Sequence, residues 1–132
     1  MQDNASIAVE LPGNPGAVIV SVFTSGVSPS EVAPILCTNY TKLQVVVDLI
    51  ILGDFECLAP TKTECNHAVF NGEAMADCIV EQYVSYAEYE KSIVDFSYGY
   101  NYVFRNGGWW RLVSENGAAK YFRLKKKKRK KK

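Results

Sequence analysis

A run of alternating aromatic and apolar residues near the C-terminus constrains the fold of this chain more than any other feature. From residue 94 to residue 104 every second position is apolar or aromatic, and its members are Val94, Phe96, Tyr98, Tyr100, Tyr102 and Phe104. A period of two over this length predicts a β-strand, because a helix places its apolar residues three and four positions apart. Two turn segments, Asn106-Gly107-Gly108 and Asn116-Gly117, follow the run and predict a three-strand antiparallel meander.

The first turn of this meander permits two strand registers. A three-residue loop places Phe104 opposite Trp110, whereas a two-residue loop pairs Phe104 with Trp109. We favour the three-residue loop, because it places an apolar residue rather than an arginine opposite Tyr102. This register predicts that Trp110 lies in the core. The second turn fits a two-residue loop.

Both faces of the predicted meander carry large apolar side chains. A solvated sheet face normally carries polar residues, so neither face is typical of one left in water. We expect either that the sheet is covered on both sides or that one face docks a protein partner. Aromatic side chains on strands also stack on nucleic-acid bases in some proteins, but we expect a core role here, since large aromatics dominate core burial.

The N-terminal part of the chain predicts a β-hairpin followed by one helical turn. Two apolar runs, residues 6–11 and 17–24, flank the turn-forming segment Pro12-Gly13-Asn14-Pro15-Gly16. This arrangement predicts a hairpin with a five-residue loop. The pair Ser28-Pro29 then predicts a helix start, and Pro34 limits that helix to about one turn.

The middle of the chain predicts one strand and one long helix. Residues 41–52 form the most apolar run, which predicts a central strand that is buried on both faces. Residues 73–91 separate polar and apolar side chains at helical spacing, which predicts a long helix. A strand from about Cys78 to Tyr89 is an alternative, because this segment is rich in β-forming residues.

These elements together predict an α+β fold. It consists of an antiparallel sheet of five to six strands, ending in the aromatic meander, with one long helix packed on it. A chain of 132 residues with 48% hydrophobic content is long enough for one domain with a real core, which we assign to residues 1–124. The order of helix and meander over residues 73–124 resembles NTF2-like and cystatin-like domains, and this resemblance supplies no functional residues.

The spacing of cysteines argues against a metal centre. The four cysteines, Cys37, Cys57, Cys65 and Cys78, lack the pair two to four residues apart that zinc sites normally have. A cluster of Cys57, Cys65, His67 and Cys78 is a less favoured alternative, and so is a Cys57–Cys65 disulfide. We expect four free thiols and neither a metal nor another cofactor.

Catalytic motifs do not stand out in this sequence, and we expect a protein that is not an enzyme. The single histidine, His67, has no neighbour that marks it as the base of a nucleophile–base pair. Asp48, Asp54 and Asp95 lie near strand-forming segments, but the sequence does not bring them together. We therefore assign no catalytic residues.

The strongest functional signal is an eight-residue basic run at the C-terminus. Its members are Lys125, Lys126, Lys127, Lys128, Arg129, Lys130, Lys131 and Lys132. Without them, seven Lys and Arg face fourteen Asp and Glu, so a body with a net charge near −7 precedes a tail of +8. Eight like charges repel one another and bury nothing, which predicts a disordered tail. Such cations neutralise phosphates and release counterions, so we expect binding to nucleic acid or another polyanion.

We therefore expect a non-enzymatic binding or structural protein within a nucleoprotein assembly or a virion. The basic run matches a nuclear localisation signal, which favours an intracellular, nuclear or virion-associated protein; a secreted form that has lost its leader stays open. We expect no transmembrane segment, since the chain has no stretch of eighteen apolar residues. The alternative is a small-ligand or carbohydrate-binding domain, with or without catalysis, that uses an apolar pocket between helix and sheet. The tail is then a localisation signal or an engineered appendage.

Overall fold

The computed structural model of the chain describes residues 4–13, 15–65, 80–95 and 99–125. These residues form an α+β fold with seven strands in one mixed sheet and three α-helices. The predicted fold class is therefore confirmed. The finer prediction of an antiparallel sheet with one long helix is wrong in part, because two strand pairs are parallel and the helical residues are divided among three helices.

The sheet is built around a parallel pair of strands from opposite ends of the chain. Its strands are β1 Ala5–Glu10, β2 Val18–Ser25, β3 Phe55–Cys57, β4 Glu81–Tyr83, β5 Tyr100–Arg105, β6 Gly108–Glu115 and β7 Ala118–Arg123. They follow the order β3-β2-β1-β5-β6-β7, while β4 pairs with the first residues of β2. The parallel pairs are β1 with β5 and β2 with β3. Local periodicity does not reveal such pairs, because parallel strands are joined by long crossovers.

The N-terminal hairpin is confirmed. Strands β1 and β2 pair antiparallel, and Glu10 opposite Val18 is the strand pair nearest to the loop. The main-chain N–H of Leu11 donates a 2.8 Å hydrogen bond to the carbonyl of Ala17 and closes the turn.

Helix α1, Pro29–Asn39, is longer than the single turn that we predicted. Pro29 occupies the first turn as expected, and the Ser28 hydroxyl donates a 2.8 Å hydrogen bond to the Glu31 carboxylate rather than capping the main chain. Pro34 lies inside the helix and is exposed. Pro34 has no N–H, so the carbonyl of Ser30 lacks its usual donor within the helix. Ser30 lies at the exposed start of the helix, where water can donate to this carbonyl instead.

The predicted central strand over residues 41–52 is wrong, because this segment forms helix α2, Leu43–Ile50. Its buried residues, Val46, Leu49 and Ile50, recur three and four positions apart. The Gln44 amide donates a 2.8 Å hydrogen bond to the Asp48 carboxylate one turn later. A short run that is apolar on nearly every side fits a buried strand and a buried helix equally well, and here the helical packing prevails.

The long helix predicted for residues 73–91 is also wrong in its bounds. Residues 73–79 lie outside the described residues, and residues 81–83 form strand β4 in agreement with the alternative. Helix α3 runs from Tyr86 to Asp95, so it includes Val94, which we expected in the alternating strand. Tyr89 and Ile93, four residues apart, form its buried face. A helix therefore precedes the meander as predicted, but it begins at residue 86 rather than at residue 73.

The meander is confirmed, but in the two-residue register of its first turn. Phe104 pairs with Trp109 and Tyr102 with Arg111. The turn residues Asn106 and Gly107 have φ values of 54° and 77°, the left-handed conformation that a two-residue hairpin turn of this type requires. The second turn has the predicted two-residue loop. Turn chemistry therefore outweighs the apolar pairing on which our prediction rested.

Apolar cores lie on both faces of the sheet. The larger core lies beneath α1 and α2 and includes Tyr102, Phe104 and Trp109. The smaller core lies beneath α3 and contains Val103 and Leu112, with Trp110 and Tyr121 packed at its edge. Our prediction of Trp110 as a core residue is therefore wrong: Trp109 is 2% exposed, while Trp110 is half-buried on the opposite face.

Candidate functional site

The basic tail leaves the fold from a fixed point at the end of β7. Leu124 is buried, and its main-chain N–H donates a 3.0 Å hydrogen bond to the carbonyl of Trp109. Lys125, which follows directly, is exposed. The other predicted site residues, Lys126, Lys127, Lys128, Arg129, Lys130, Lys131 and Lys132, lie outside the described residues. The structure thus describes the origin of the tail and its first cation.

A groove of about 430 Å³ opens at this point, between the β5–β6 turn, the C-terminal end of α1 and the end of β7. We call it the turn groove. Its described walls combine the Trp109 and Phe104 rings, the Cys37 thiol and the cationic side chains of Arg123 and Lys125. A second groove of about 420 Å³ shares Thr41, Phe104 and Gly107 with it. The two grooves are therefore contiguous at one end of the sheet.

Arg123 is held at the rim of the turn groove by an aromatic ring. Its guanidinium carbon lies 5.0 Å from the centre of the Trp110 ring, within the range of a cation–π contact. The space beside it depends on Gly108, because a Cβ at that position would approach the Arg123 guanidinium to 2.5 Å. Gly108, the first residue of β6, therefore leaves space for the Arg123 guanidinium close to the backbone.

Farther along the meander, aromatic and cationic side chains alternate across one face of the sheet. We call these residues the cation–aromatic row, and its members are Tyr100, Arg111, Phe122 and Lys120. Arg111 lies directly opposite Phe122 in the β6–β7 ladder. Its guanidinium carbon is 5.2 Å from the centre of the Tyr100 ring, and the Lys120 ammonium is 5.6 Å from the centre of the Phe122 ring. Each cation is therefore placed over an aromatic neighbour.

The row is partly exposed and carries one incompletely satisfied cation. Phe122 is 44% exposed, while Tyr100 and Arg111 are half-buried. The Arg111 Nε is buried, and no described residue forms a hydrogen bond with it. Burial raises the pKa of the neighbouring Tyr102 hydroxyl, and the positive charge of Arg111 opposes that rise. Lys120 forms a 3.5 Å ion pair with Glu115, and both side chains are 55% exposed, so water screens this pair strongly.

Comparison with protein families, with curated proteins and with solved structures finds no match to this chain. The resemblance to NTF2-like and cystatin-like domains therefore receives no support from these comparisons.

The residues that we considered for metal binding and catalysis are not brought together. Cys57 and Cys65 are free thiols, and Cys37 lies half-buried on α1, whereas His67 and Cys78 lie outside the described residues. Within the described part of the chain, no three Cys, His, Asp or Glu side chains are grouped so as to hold a metal ion. None of the described helices is long and apolar enough to cross a membrane.

The three aspartates that lie near strand-forming segments are engaged or exposed separately. Asp48 accepts a hydrogen bond from Gln44 on α2, and Asp54 accepts one from the main-chain N–H of Val22 at 3.0 Å. Asp95 ends α3, which packs on the opposite face of the sheet from α2, and its side chain is exposed. The structure does not combine them into one site.

Sequence analysis missed the cation–aromatic row as a candidate site. The signal was present in the rejected register, which places Arg111 between Tyr102 and Phe122. We treated an arginine opposite a tyrosine as unfavourable, although a guanidinium stacks well on an aromatic ring. The aromatic side chains of the meander differ in burial. Tyr102 and Phe104 are buried as expected, Trp109 is buried where Trp110 was predicted to be, and Phe122 is exposed.

Proposed function

We propose that this chain is a non-enzymatic binding protein that engages nucleic acid or another polyanion through its C-terminal basic run, within a nucleoprotein assembly or a virion. The observation that carries the proposal is the separation of charge. Residues 125–132 hold eight of the fifteen Lys and Arg, and the rest of the chain has an excess of seven acidic residues. An acidic body repels phosphates, so the affinity for a polyanion should reside almost wholly in the tail.

The attachment of the tail supports the same proposal. Leu124 is fixed by burial and by its hydrogen bond to Trp109, so the cations begin at a defined point on the surface. Arg123 precedes it with its guanidinium held over Trp110. The basic run therefore follows a cation, Arg123, that the fold already holds in place. If Arg123 contacts a phosphate, less entropy is lost when the rest of the tail binds.

The decisive experiment is a salt titration of affinity for an arbitrary DNA duplex. We expect the full chain to bind with a steep salt dependence, whose slope approaches about −0.9 per phosphate contacted. A chain that ends at Leu124 should lose this binding. A full-length control with residues 125–132 all replaced by glutamine keeps the length of the tail and should also fail to bind. Equal affinity of the truncated and full chains would overturn the proposal.

The runner-up function is binding of a small ligand or a carbohydrate. The turn groove favours it, since its volume of about 430 Å³ lies within the range of ligand sites. Aromatic walls with a few polar groups also suit a sugar ring. The truncated chain separates the two functions, because a ligand held within the fold would still bind after removal of the tail.

A further inference from the structure

We infer that the cation–aromatic row is a stacking platform for the bases of a single-stranded nucleic acid, whose phosphates the basic tail holds. This inference rests on the proposed function and specifies its ligand. It assigns a direct contact role to Phe122 and Arg111, two residues outside the tail.

The exposure of Phe122 is the first argument. Phe122 lies on β7, the last strand of the described sheet, and 44% of it is exposed beside two cations. Stacking of bases on exposed strand aromatics is a common way to bind single strands, since every base has an aromatic face. A polar residue at position 122 would protect the sheet edge better from aggregation. An exposed phenylalanine therefore points to an occupant with a flat ring.

Arg111 supplies the second argument. Its guanidinium lies over Tyr100, and its buried Nε has no hydrogen-bond partner among the described residues. A guanidinium plane stacks on bases as well as on aromatic side chains, and its remaining N–H groups donate to phosphates and base edges. A base stacked on the exposed side of Phe122 would thus meet a ring with a planar cation beside it.

The charge of the row favours a nucleic acid over a protein partner. A protein interface has an apolar centre depleted of charge, whereas here a cation stands beside each ring. The exposed Lys120–Glu115 pair contributes little stability, so Lys120 can exchange its carboxylate for a phosphate. Lys125 lies three residues beyond Phe122, about 10 Å along an extended chain. A base on Phe122 therefore brings neighbouring phosphates within reach of the tail.

The strandedness follows from the accessibility of base faces. In a duplex each base is stacked between its neighbours, so only phosphates and groove edges are available to the protein. The tail contacts phosphates in either form, whereas the row requires an open base face. The row should therefore add affinity for a single strand and none for a duplex.

The test compares a fluorescein-labelled oligothymidylate with a duplex of equal length, for the full chain and its variants. Phe122→Ala should weaken binding of the single strand by about 5-fold to 150-fold, the effect of losing one base–aromatic stack. It should change duplex affinity less than about 2-fold, because the tail is intact. Phe122→Tyr retains a ring and should bind the single strand like the parent.

Val84→Ala is the matched control. Val84 is also a large exposed apolar residue, 67% exposed, but it lies beside the start of α3 and outside the row. Its substitution should leave both affinities unchanged. A single strand carrying 2-aminopurine gives a second readout, since its fluorescence should be quenched on binding by the parent chain and not by Phe122→Ala. Thermal unfolding of each variant verifies that the fold is retained.

The outcomes separate this inference from the function on which it rests. If Phe122→Ala binds the single strand as tightly as the parent while the chain ending at Leu124 loses binding, the platform is wrong and the tail function stands. If the truncated chain binds duplex as well as the full chain, the tail function itself is wrong. A change of molecular mass in light scattering for Phe122→Ala, with unchanged oligonucleotide affinity, would show that the row is a contact between copies of this chain and would overturn the platform.

Discussion

The indole Nε1 of Trp109 donates a 2.8 Å hydrogen bond to the main-chain carbonyl of Tyr40, the residue that follows α1. Trp109 thereby satisfies a carbonyl that the end of the helix leaves without an intrahelical donor. The same ring packs edge-on against Phe104, with a centroid distance of 5.3 Å. One side chain thus joins the meander to the helical layer through both packing and a hydrogen bond.

These two contacts of Trp109 predict that its substitution lowers the stability of the fold more than substitution of Trp110. Trp109→Ala should lower the free energy of unfolding by about 3–5 kcal/mol, as expected for a buried tryptophan. Trp109→Phe keeps most of the packing but leaves the Tyr40 carbonyl unpaired, and should cost about 1–3 kcal/mol. Trp110→Ala should cost less than Trp109→Ala, because Trp110 is half-buried. Equilibrium unfolding in urea measures all three, and a larger loss for Trp110→Ala would contradict the observed register.

A second prediction concerns the attachment of α3 to the meander. The hydroxyl of Tyr121 on β7 hydrogen bonds to the Tyr86 hydroxyl at 2.7 Å and donates to the Glu90 carboxylate. Burial raises the pKa of Tyr121, and the Glu90 contact raises it further, so this hydroxyl stays protonated at neutral pH. Tyr121→Phe removes both bonds and should destabilise the protein by about 1–2 kcal/mol.

Amide hydrogen exchange would locate this effect. In Tyr121→Phe, faster exchange should be concentrated in α3, because its link to β7 is weakened while the sheet ladders are intact. Glu90→Gln retains an acceptor and serves as the milder comparison. Uniform acceleration across the whole sheet would argue that the tyrosine acts through the core rather than through this link.

The third prediction is a pH dependence that originates at Asp54. Burial raises the pKa of this half-buried carboxyl, although the hydrogen bond from the Val22 N–H opposes the shift. A carboxyl with a raised pKa binds its proton more tightly in the folded state. Its contribution to stability therefore increases as the pH falls through the raised pKa, and levels off below the ordinary value of about 3.9.

Asp54→Asn should remove this dependence. We compare the free energy of unfolding of the parent with that of Asp54→Asn. As the pH is lowered from 7 toward 4, the parent should gain stability relative to the variant. Asp95→Asn makes the same carboxyl-to-amide change at an exposed position and serves as the control substitution. A difference that shrinks on acidification would mean that the Val22 hydrogen bond to the charged carboxylate outweighs burial.

The fourth prediction concerns the reactivity of the cysteines. Cys65 is fully buried, and its sulfur accepts a 3.2 Å hydrogen bond from the Ala59 N–H. Burial raises the pKa of the Cys65 thiol, so little reactive thiolate forms at neutral pH. Cys37 and Cys57 are half-buried. Brief alkylation of the native protein followed by peptide mapping should label Cys37 and Cys57 well before Cys65. Equal labelling rates would contradict this burial.

The elements that could be predicted from the sequence are those set by neighbouring residues. The five-residue hairpin loop and the two meander turns carry glycine, proline and asparagine where the backbone needs them. The register of the first turn follows from the backbone conformation of Asn106 and Gly107, and our prediction failed because it weighed side-chain pairing above turn chemistry. Helix α2 failed for another reason: its apolar residues satisfy both periodicities, so tertiary packing decides.

The candidate site likewise has one part that the sequence reveals directly and one part that depends on the fold. The basic run is visible in composition alone, because eight adjacent cations do not depend on the fold. The cation–aromatic row depends on strand register, since Arg111 and Phe122 are eleven residues apart in sequence and meet only across the β6–β7 ladder. The two-residue second turn gives the Arg111–Phe122 pair correctly. The one-residue error at the first turn instead places Arg111 opposite Val103 rather than Tyr102, on the other face of β5 from Tyr100.

The parallel pairing of β1 with β5 has a consequence for how this protein is made. Ala5 and Tyr100 are 95 residues apart, yet they are neighbours at the centre of the sheet. A ribosome that adds 5–20 residues per second takes about 5–20 s to synthesise the chain between them. During that interval the β1–β2 hairpin exposes the edge that β5 later covers, an edge able to pair with other nascent strands. High contact order slows folding as well, so chaperone binding to the N-terminal hairpin would protect the chain during its synthesis.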